Sequence, residues 1–286
     1  MDKEHSEQEV IVSDLEMKYP EHFINQVICG DCVEVMRGIP DKSVDLVLTS
    51  PPYNIGKEYE SKKEIGLYLS DMENKISSCI RISDCIVVQV GNIINDGEVF
   101  PIDILLYPVF KNHGYRLRNR IIWKFGHGLH CKNRFSGRYE TALWFTKYDR
   151  YTFNLDSVRI PSKYPNKKHF KGDKIGQISG NPLGKNPSDV WDITNVKYNH
   201  PEKTDHPCQF PLDLVNRFIL SLTNRGDTIL DPFLGSGTTA VSARHLGRNF
   251  IGIEINPDYC KIAEDRLAQT EIFTPEPKIK YEQMEL

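Results

Sequence analysis

With 286 residues, of which 39% are hydrophobic and 26% charged, the chain can bury a substantial core, which excludes a disordered protein. No apolar run approaches the length of a membrane span. The net charge of −3 argues against a nucleic-acid binder only until it is resolved along the chain: Lys111 to Val190 holds 17 Lys and Arg against 5 Asp and Glu, so this segment carries +12 and the remainder −15.

Residues 1–22 carry seven carboxylates against two lysines and are expected to form a loosely held polar extension, leaving 23–286 as the folded domain. The first residues, Met1 to Glu9, lack the basic and apolar parts of a secretory signal. Seven cysteines without the spacing of a small disulfide scaffold predict reduced thiols and a cytoplasmic location. Cys29 and Cys32 form a CxxC, but no second pair completes a metal site, so no metal is expected.

Short runs rich in valine and isoleucine then recur: Asn25–Cys29, Val44–Leu48, Cys85–Val90, Ile121–Trp123, Thr141–Phe145, Thr228–Leu230 and Phe250–Ile253. Several are nearly continuous apolar segments, as in parallel strands covered on both faces, and they predict seven strands. Helical spacing appears over Pro101–His113, Leu212–Asn224, Thr238–Leu246 and Tyr259–Leu267; in the second, Leu212, Val215, Phe218, Ile219 and Leu222 share one face. The alternation predicts a doubly wound, mostly parallel seven-stranded α/β sheet. Residues 151–205, with Pro161, Pro165, Pro182, Pro187 and Pro201, interrupt it as an insertion.

Two turns carry chemistry. Thr228-Ile-Leu-Asp231-Pro-Phe233-Leu-Gly235-Ser236-Gly237-Thr238-Thr239-Ala240 is a strand, a tight glycine turn and a helix start, where free N–H groups and the helix dipole can meet a ligand. It also satisfies the permissive dinucleotide fingerprint, and Glu254 at the end of the next strand suits the ribose of either cofactor. Asp231 tilts the balance, because a strand-end carboxylate there repels a pyrophosphate and welcomes the ammonium of S-adenosylmethionine. The second turn is Leu46-Val-Leu-Thr49-Ser50-Pro51-Pro52-Tyr53-Asn54. Two prolines after a strand fix a rigid turn whose carbonyls point outward. Such an acceptor platform suits an exocyclic amine, a poor nucleophile whose lone pair is delocalised into its ring. Ser50 Oγ and the Pro51 carbonyl are the candidate acceptors and Tyr53 the stacking face, unless the turn merely ends a strand around a packed tyrosine. If the two parent strands are neighbours where strand order reverses, methyl donor and amine meet in one cleft.

On these two motifs the sequence resembles the amino-group DNA methyltransferases of restriction-modification systems. Thr49-Ser-Pro-Pro-Tyr53 looks like their catalytic motif, Asp231-Pro-Phe-Leu-Gly-Ser-Gly237 like their cofactor motif, and His206-Pro-Cys-Gln209-Phe-Pro211 like the segment that closes over the methionine end. This motif order is that of the beta class, and the match spans about 25–268. The resemblance implies a Rossmann-like methyltransferase fold using S-adenosyl-L-methionine. It puts Asp31 and Cys32 against the adenine, Glu254 on the ribose, and Asp231, Phe233, Gly235, Ser236, Gly237, Thr238 and Thr239, with Gln209 and Pro211, around the methionine part. It makes 206–268 the cofactor-binding part and 150–190 the target-recognition region, with double-stranded DNA as substrate. Candidate DNA contacts are Lys57, Arg134, Arg138, Lys163, Lys167, Lys168, Lys171, Lys174 and Lys185. Serine at position 50 is usual for enzymes acting on N4 of cytosine and aspartate for those acting on N6 of adenine, so the resemblance points to cytosine. An adenine enzyme with an unusual serine and a non-catalytic DNA-binding protein on the same fold stay open. Members often pair as homodimers and function beside a restriction endonuclease.

Overall fold

The structure is a computed structural model and describes residues 17–57, 60–126, 128 and 130–271. The first sixteen residues of the acidic extension lie outside the described residues. Of the rest, Met17 and Tyr19 already pack against the core, with the Tyr19 hydroxyl donating to the Ser43 carbonyl at 3.3 Å, so the folded body starts before residue 23.

All seven apolar runs become strands of one sheet: β1 (Gln26–Cys29), β2 (Leu46–Thr49), β3 (Cys85–Val90), β6 (Arg116–Lys124), β7 (Tyr139–Thr146), β9 (Thr228–Asp231) and β10 (Asn249–Glu254). Among the described residues the sheet has eight strands, not the seven expected, in the order β1-β10-β9-β2-β3-β7-β6-β8. The addition is β8 (Val190–Asp192), three residues on the edge beside β6 with only Trp191 buried, too short for periodicity to register. A separate hairpin, β4 (Asn92–Asn95) and β5 (Glu98–Pro101), turns at Asp96-Gly97, both with positive φ as a two-residue hairpin loop requires.

Pairing is parallel from β1 through β10, β9 and β2 to β3, and β7 alone runs against its neighbours. Helices cover both faces. On one side α1 (Cys32–Met36), α2 (Ile65–Ile82) and α3 (Ile102–Asn112) bury Met36, Met72, Ile76 and Phe110 against Val47, Ile86 and Val88. On the other, α4 (Leu212–Leu222), α5 (Thr238–His245) and α6 (Pro257–Ala268) pack on Leu46, Leu48 and Val87. Alternate residues of β2 and β3 thus serve opposite layers, which is why these strands read as unbroken apolar runs. In α4, Val215, Phe218, Ile219 and Leu222 of the predicted face are buried. The interruption predicted at 151–205 is real: up to β8 this stretch holds one 3-10 turn, Leu155–Val158, and isolated bridges such as Lys168 with Ile178. No described helix is long and apolar enough to cross a membrane.

The site follows from the order of the strands. β2 lies beside β9, with Leu46 opposite Ile229 and Val47 opposite Leu230, and from this pair the chain winds outward in both directions. The proline turn and the glycine turn therefore leave adjacent strands at the switch point, on the carboxyl edge where open α/β sheets bind ligands.

Candidate active site

Beyond Thr49 the two prolines end the ladder, and the turn is held from outside: the Tyr68 hydroxyl of α2 donates to the Pro52 carbonyl at 2.9 Å. Asn54 takes a left-handed conformation (φ 60°) and clasps the following loop, its amide donating to the Lys63 carbonyl at 2.8 Å and accepting from Lys63 N at 2.6 Å. Tyr53 lies against Gly91, where even a methyl group would sit 3.1 Å from the ring, so glycine lets the ring settle on the backbone. Its hydroxyl meets Ser50 Oγ at 3.0 Å and donates toward Gln89 Oε1 at 2.9 Å and Glu140 Oε2 at 3.3 Å. Burial pushes both the Tyr53 phenol and the Glu140 carboxyl upward from their ordinary values.

The glycine turn is anchored by Asp231, 1% exposed. Its Oδ1 accepts from Thr49 Oγ1 at 2.6 Å and Phe233 N at 3.1 Å, and its Oδ2 from Thr239 Oγ1 at 2.7 Å. This corrects the expectation that the carboxylate faces a ligand ammonium: two threonine hydroxyls draw it inward, where it ties the proline turn to the glycine turn. Burial raises its pKa from 3.8 to about 6. Gly237 starts α5 at φ 85° with Ala263 of α6 so close that a Cβ would lie 2.7 Å from the Ala263 Cβ; both the backbone and the packing demand glycine. Glu254 accepts from Gly235 N at 2.8 Å and Asn256 N at 2.9 Å, clamping the glycine turn to the entrance of α6. His206 sits over Gly235 and edge-on to Tyr259, and burial lowers its pKa from 6.5 to about 4, so the ring is neutral.

Between the two turns opens a cavity of about 480 Å³, in the size range of small-molecule sites. One end is lined by Asp31, Cys32 and Glu254, the centre by Phe233, Gly235, Ser236, Thr238 and Gln209, and the other end by Ser50, Pro51, Pro52 and Tyr53. Asp31 caps α1 by accepting from Val33 N at 2.8 Å, and burial pushes the Cys32 thiol up to about 11. Pro211, Asp231, Gly237 and Thr239 stand behind the wall, Pro211 as the N-cap of α4.

Sequence reasoning missed Gln89, Trp123, Phe125, Glu140 and Asn195, which also line the cavity, Gln89 and Glu140 meeting the Tyr53 hydroxyl. Asn195 Oδ1 is buried without a hydrogen-bond partner. A signal existed for two of them: Gln89 interrupts an apolar strand near its carboxyl end, and Glu140 heads another. The candidate DNA contacts fall outside the cavity wall: Lys57, Arg134, Lys163, Lys167, Lys168, Lys171, Lys174 and Lys185 are exposed, and half-buried Arg138 donates to the Gly137 carbonyl at 3.0 Å.

An open sheet of this order, with a glycine turn and a proline turn facing one cavity at the switch point, has the layout of a doubly wound α/β protein that binds a small-molecule ligand. The profile of the DNA methylase family N6_N4_Mtase matches residues 44–265, and the chain belongs to that family. It is 49% identical over 249 residues to the type II methyltransferase M.BglII of Bacillus subtilis, covering 86% of this chain and 69% of that one. It is 34% identical to the DNA adenine methyltransferase YhdJ of Escherichia coli K12, covering 87% and 85%. Among solved structures it matches PvuII DNA methyltransferase (cytosine-N4-specific) with a TM-score of 0.67 at 20% identity, over 90% of this chain and 91% of that one. A Thermus thermophilus protein solved as a complex with S-adenosyl-L-methionine matches with a TM-score of 0.59 at 26% identity, over 85% and 95%. The protein is a DNA methyltransferase and its methyl donor is S-adenosyl-L-methionine. The lining is compatible with that donor: Asp31 and Glu254 bring carboxylates that can accept from hydroxyl groups, and Phe233 and Gly235 add an apolar ring and glycine backbone.

Proposed function

We propose that the protein methylates N4 of cytosine at a specific site in double-stranded DNA, protecting host DNA beside a partner restriction endonuclease. The observation that carries the choice of base is Ser50 at the head of the proline turn, where an adenine enzyme would usually carry a carboxylate. When bound, S-adenosyl-L-methionine supplies an electrophilic methyl group on a sulfonium. Asp31 and Cys32 would border its adenine, Glu254 its ribose, and Phe233, Gly235, Ser236 and Thr238 its methionine part, with Gln209 closing that end. Asp231, Gly237, Thr239 and Pro211 act from behind, by holding the turn in shape.

On the DNA side, a base flipped from the duplex stacks on Tyr53 while Ser50 Oγ and the Pro51 carbonyl accept hydrogen bonds from its amino group. Those bonds draw the nitrogen toward a pyramidal geometry with its lone pair free to attack. Catalysis is then placement of charge and orientation rather than covalent assistance. The basic segment, with 150–190 as the target-recognition region, supplies the phosphate and base contacts that offset the few kcal/mol of flipping.

A second reading, transfer to N6 of adenine, is favoured by the 34% identity to an enzyme named as a DNA adenine methyltransferase. Incubating mixed-sequence plasmid DNA with isotopically labelled cofactor, then digesting it to nucleosides for mass spectrometry, separates the two. N4-methylcytosine is expected. N6-methyladenine would overturn the base assignment, and no transfer would leave a binding protein.

A further inference from the structure

A network of side chains behind the proline turn fixes which way the Ser50 hydroxyl points. Glu140 and Gln89 come together because β7 runs antiparallel to β3, so the first residues of β7 reach the same edge of the sheet as the last residues of β3; Gln89 is opposite Ala142. Gln89 Nε2 donates to Glu140 Oε2, which turns the Gln89 carbonyl oxygen toward Tyr53. The reverse orientation of the amide would set its oxygen against the carboxylate. Both groups facing the Tyr53 hydroxyl, Gln89 Oε1 and Glu140 Oε2, are thus acceptors, at 2.9 and 3.3 Å.

A phenol has one proton, and Tyr53 gives it to this pair. The contact with Ser50 Oγ at 3.0 Å can then be made only by Ser50 donating. With its proton committed to Tyr53, Ser50 presents lone pairs alone to the cavity. We propose that Glu140 and Gln89 are positioning residues that, through Tyr53, hold Ser50 as an obligate acceptor, so that the site selects a base bearing an amino group over one bearing a carbonyl at the same ring position. This rests on Ser50 facing the reacting amino group, as argued above. It adds a basis for rejecting uracil, or hypoxanthine if the target is adenine, and it gives the tyrosine hydroxyl a task separate from stacking.

Tyr53→Phe keeps the ring and removes the relay. Glu140→Gln keeps the volume and brings in an amide donor that can reverse the chain. The probe is a duplex carrying the site that the wild-type enzyme methylates, together with its twin in which the target amino group is replaced by a carbonyl. Each variant should lose about 10-fold in kcat with KM for DNA within about twofold, the scale of one hydrogen bond to a charged network. The wild-type binding preference for the amino over the carbonyl duplex should fall about 10-fold in each variant, and the double variant should be no worse than either single one. A merely structural role would weaken both duplexes alike and leave that ratio standing. Wild-type methylation with an unchanged ratio in both variants would overturn the inference alone. No methylation by the wild-type protein would overturn the reading of the site, and the inference with it.

Discussion

Thr49→Val tests the bond that joins the two turns. The substitution keeps the β-branched shape within β2 and deletes the donor that reaches Asp231 Oδ1 at 2.6 Å from a residue only 3% exposed. A buried hydrogen bond to a charged group contributes about 1.5–3 kcal/mol, so a loss of about 2 kcal/mol is expected at pH 8. In a chain this long that lowers Tm by about 4–8 °C. The effect has a pH signature. Asp231 titrates at about 6 in the folded protein against 3.8, so its contribution to stability is fully present below pH 3.8 and is lost as pH rises through about 6. The displacement is worth about 3 kcal/mol. Deleting a donor that favours the ionised form raises the folded value further, so the gap between variant and wild type should be widest above pH 7 and narrow toward pH 5. Urea titrations at pH 5 and 8 measure it, with Thr49→Ser as the variant that retains the donor. A Thr49→Val gap that does not change with pH, or a loss below about 0.5 kcal/mol at pH 8, would refute the reasoning.

Gly237→Ala places a methyl group 2.7 Å from the Ala263 Cβ at a φ of 85°; we expect at least about 1–2 kcal/mol of destabilisation and weaker cofactor binding by calorimetry, and an unperturbed variant would show that α5 and α6 are free to separate. His206 titrates at about 4 in the fold against 6.5, so the stability of its neutral ring is present above pH 6.5 and is lost as pH falls toward 4; His206→Asn should flatten that acid limb in thermal melts, and an unchanged limb would assign it to other groups. Reversing Lys167, Lys168 and Lys171 to Glu should reduce the slope of log binding constant against log salt by about 0.9 for each phosphate no longer neutralised. An unchanged slope would direct the DNA to another face.

What could be read from the sequence was what is contiguous in it. Strands buried on both faces announce themselves as unbroken apolar runs, and all seven did. β8 escaped because three residues with one buried side chain carry no period, although the Asp96-Gly97 pair of the β4–β5 hairpin was a readable signal. The proline and glycine turns were legible as motifs because each is a local backbone device. Gln89, Glu140 and Asn195 were not, since only the pairing of β7 with β3 and the return of the chain after β8 bring them to the cavity from distant positions. Asp231 shows a different limit: the carboxylate was found, but its direction depends on Thr49, 182 positions away.

The backward run of β7 also decides where the chain can afford to change. β6 arrives at the cavity edge at Lys124 and β7 departs from it at Tyr139, so the intervening segment begins and ends at the mouth of the cleft. Residues inserted or deleted there shift no rung of the sheet and leave β2 and β9 in register. A change of length between Gly126 and Gly137 would therefore reshape the mouth of the cleft, where Arg134 stands exposed, without moving the strands that lead to Ser50 and Asp231.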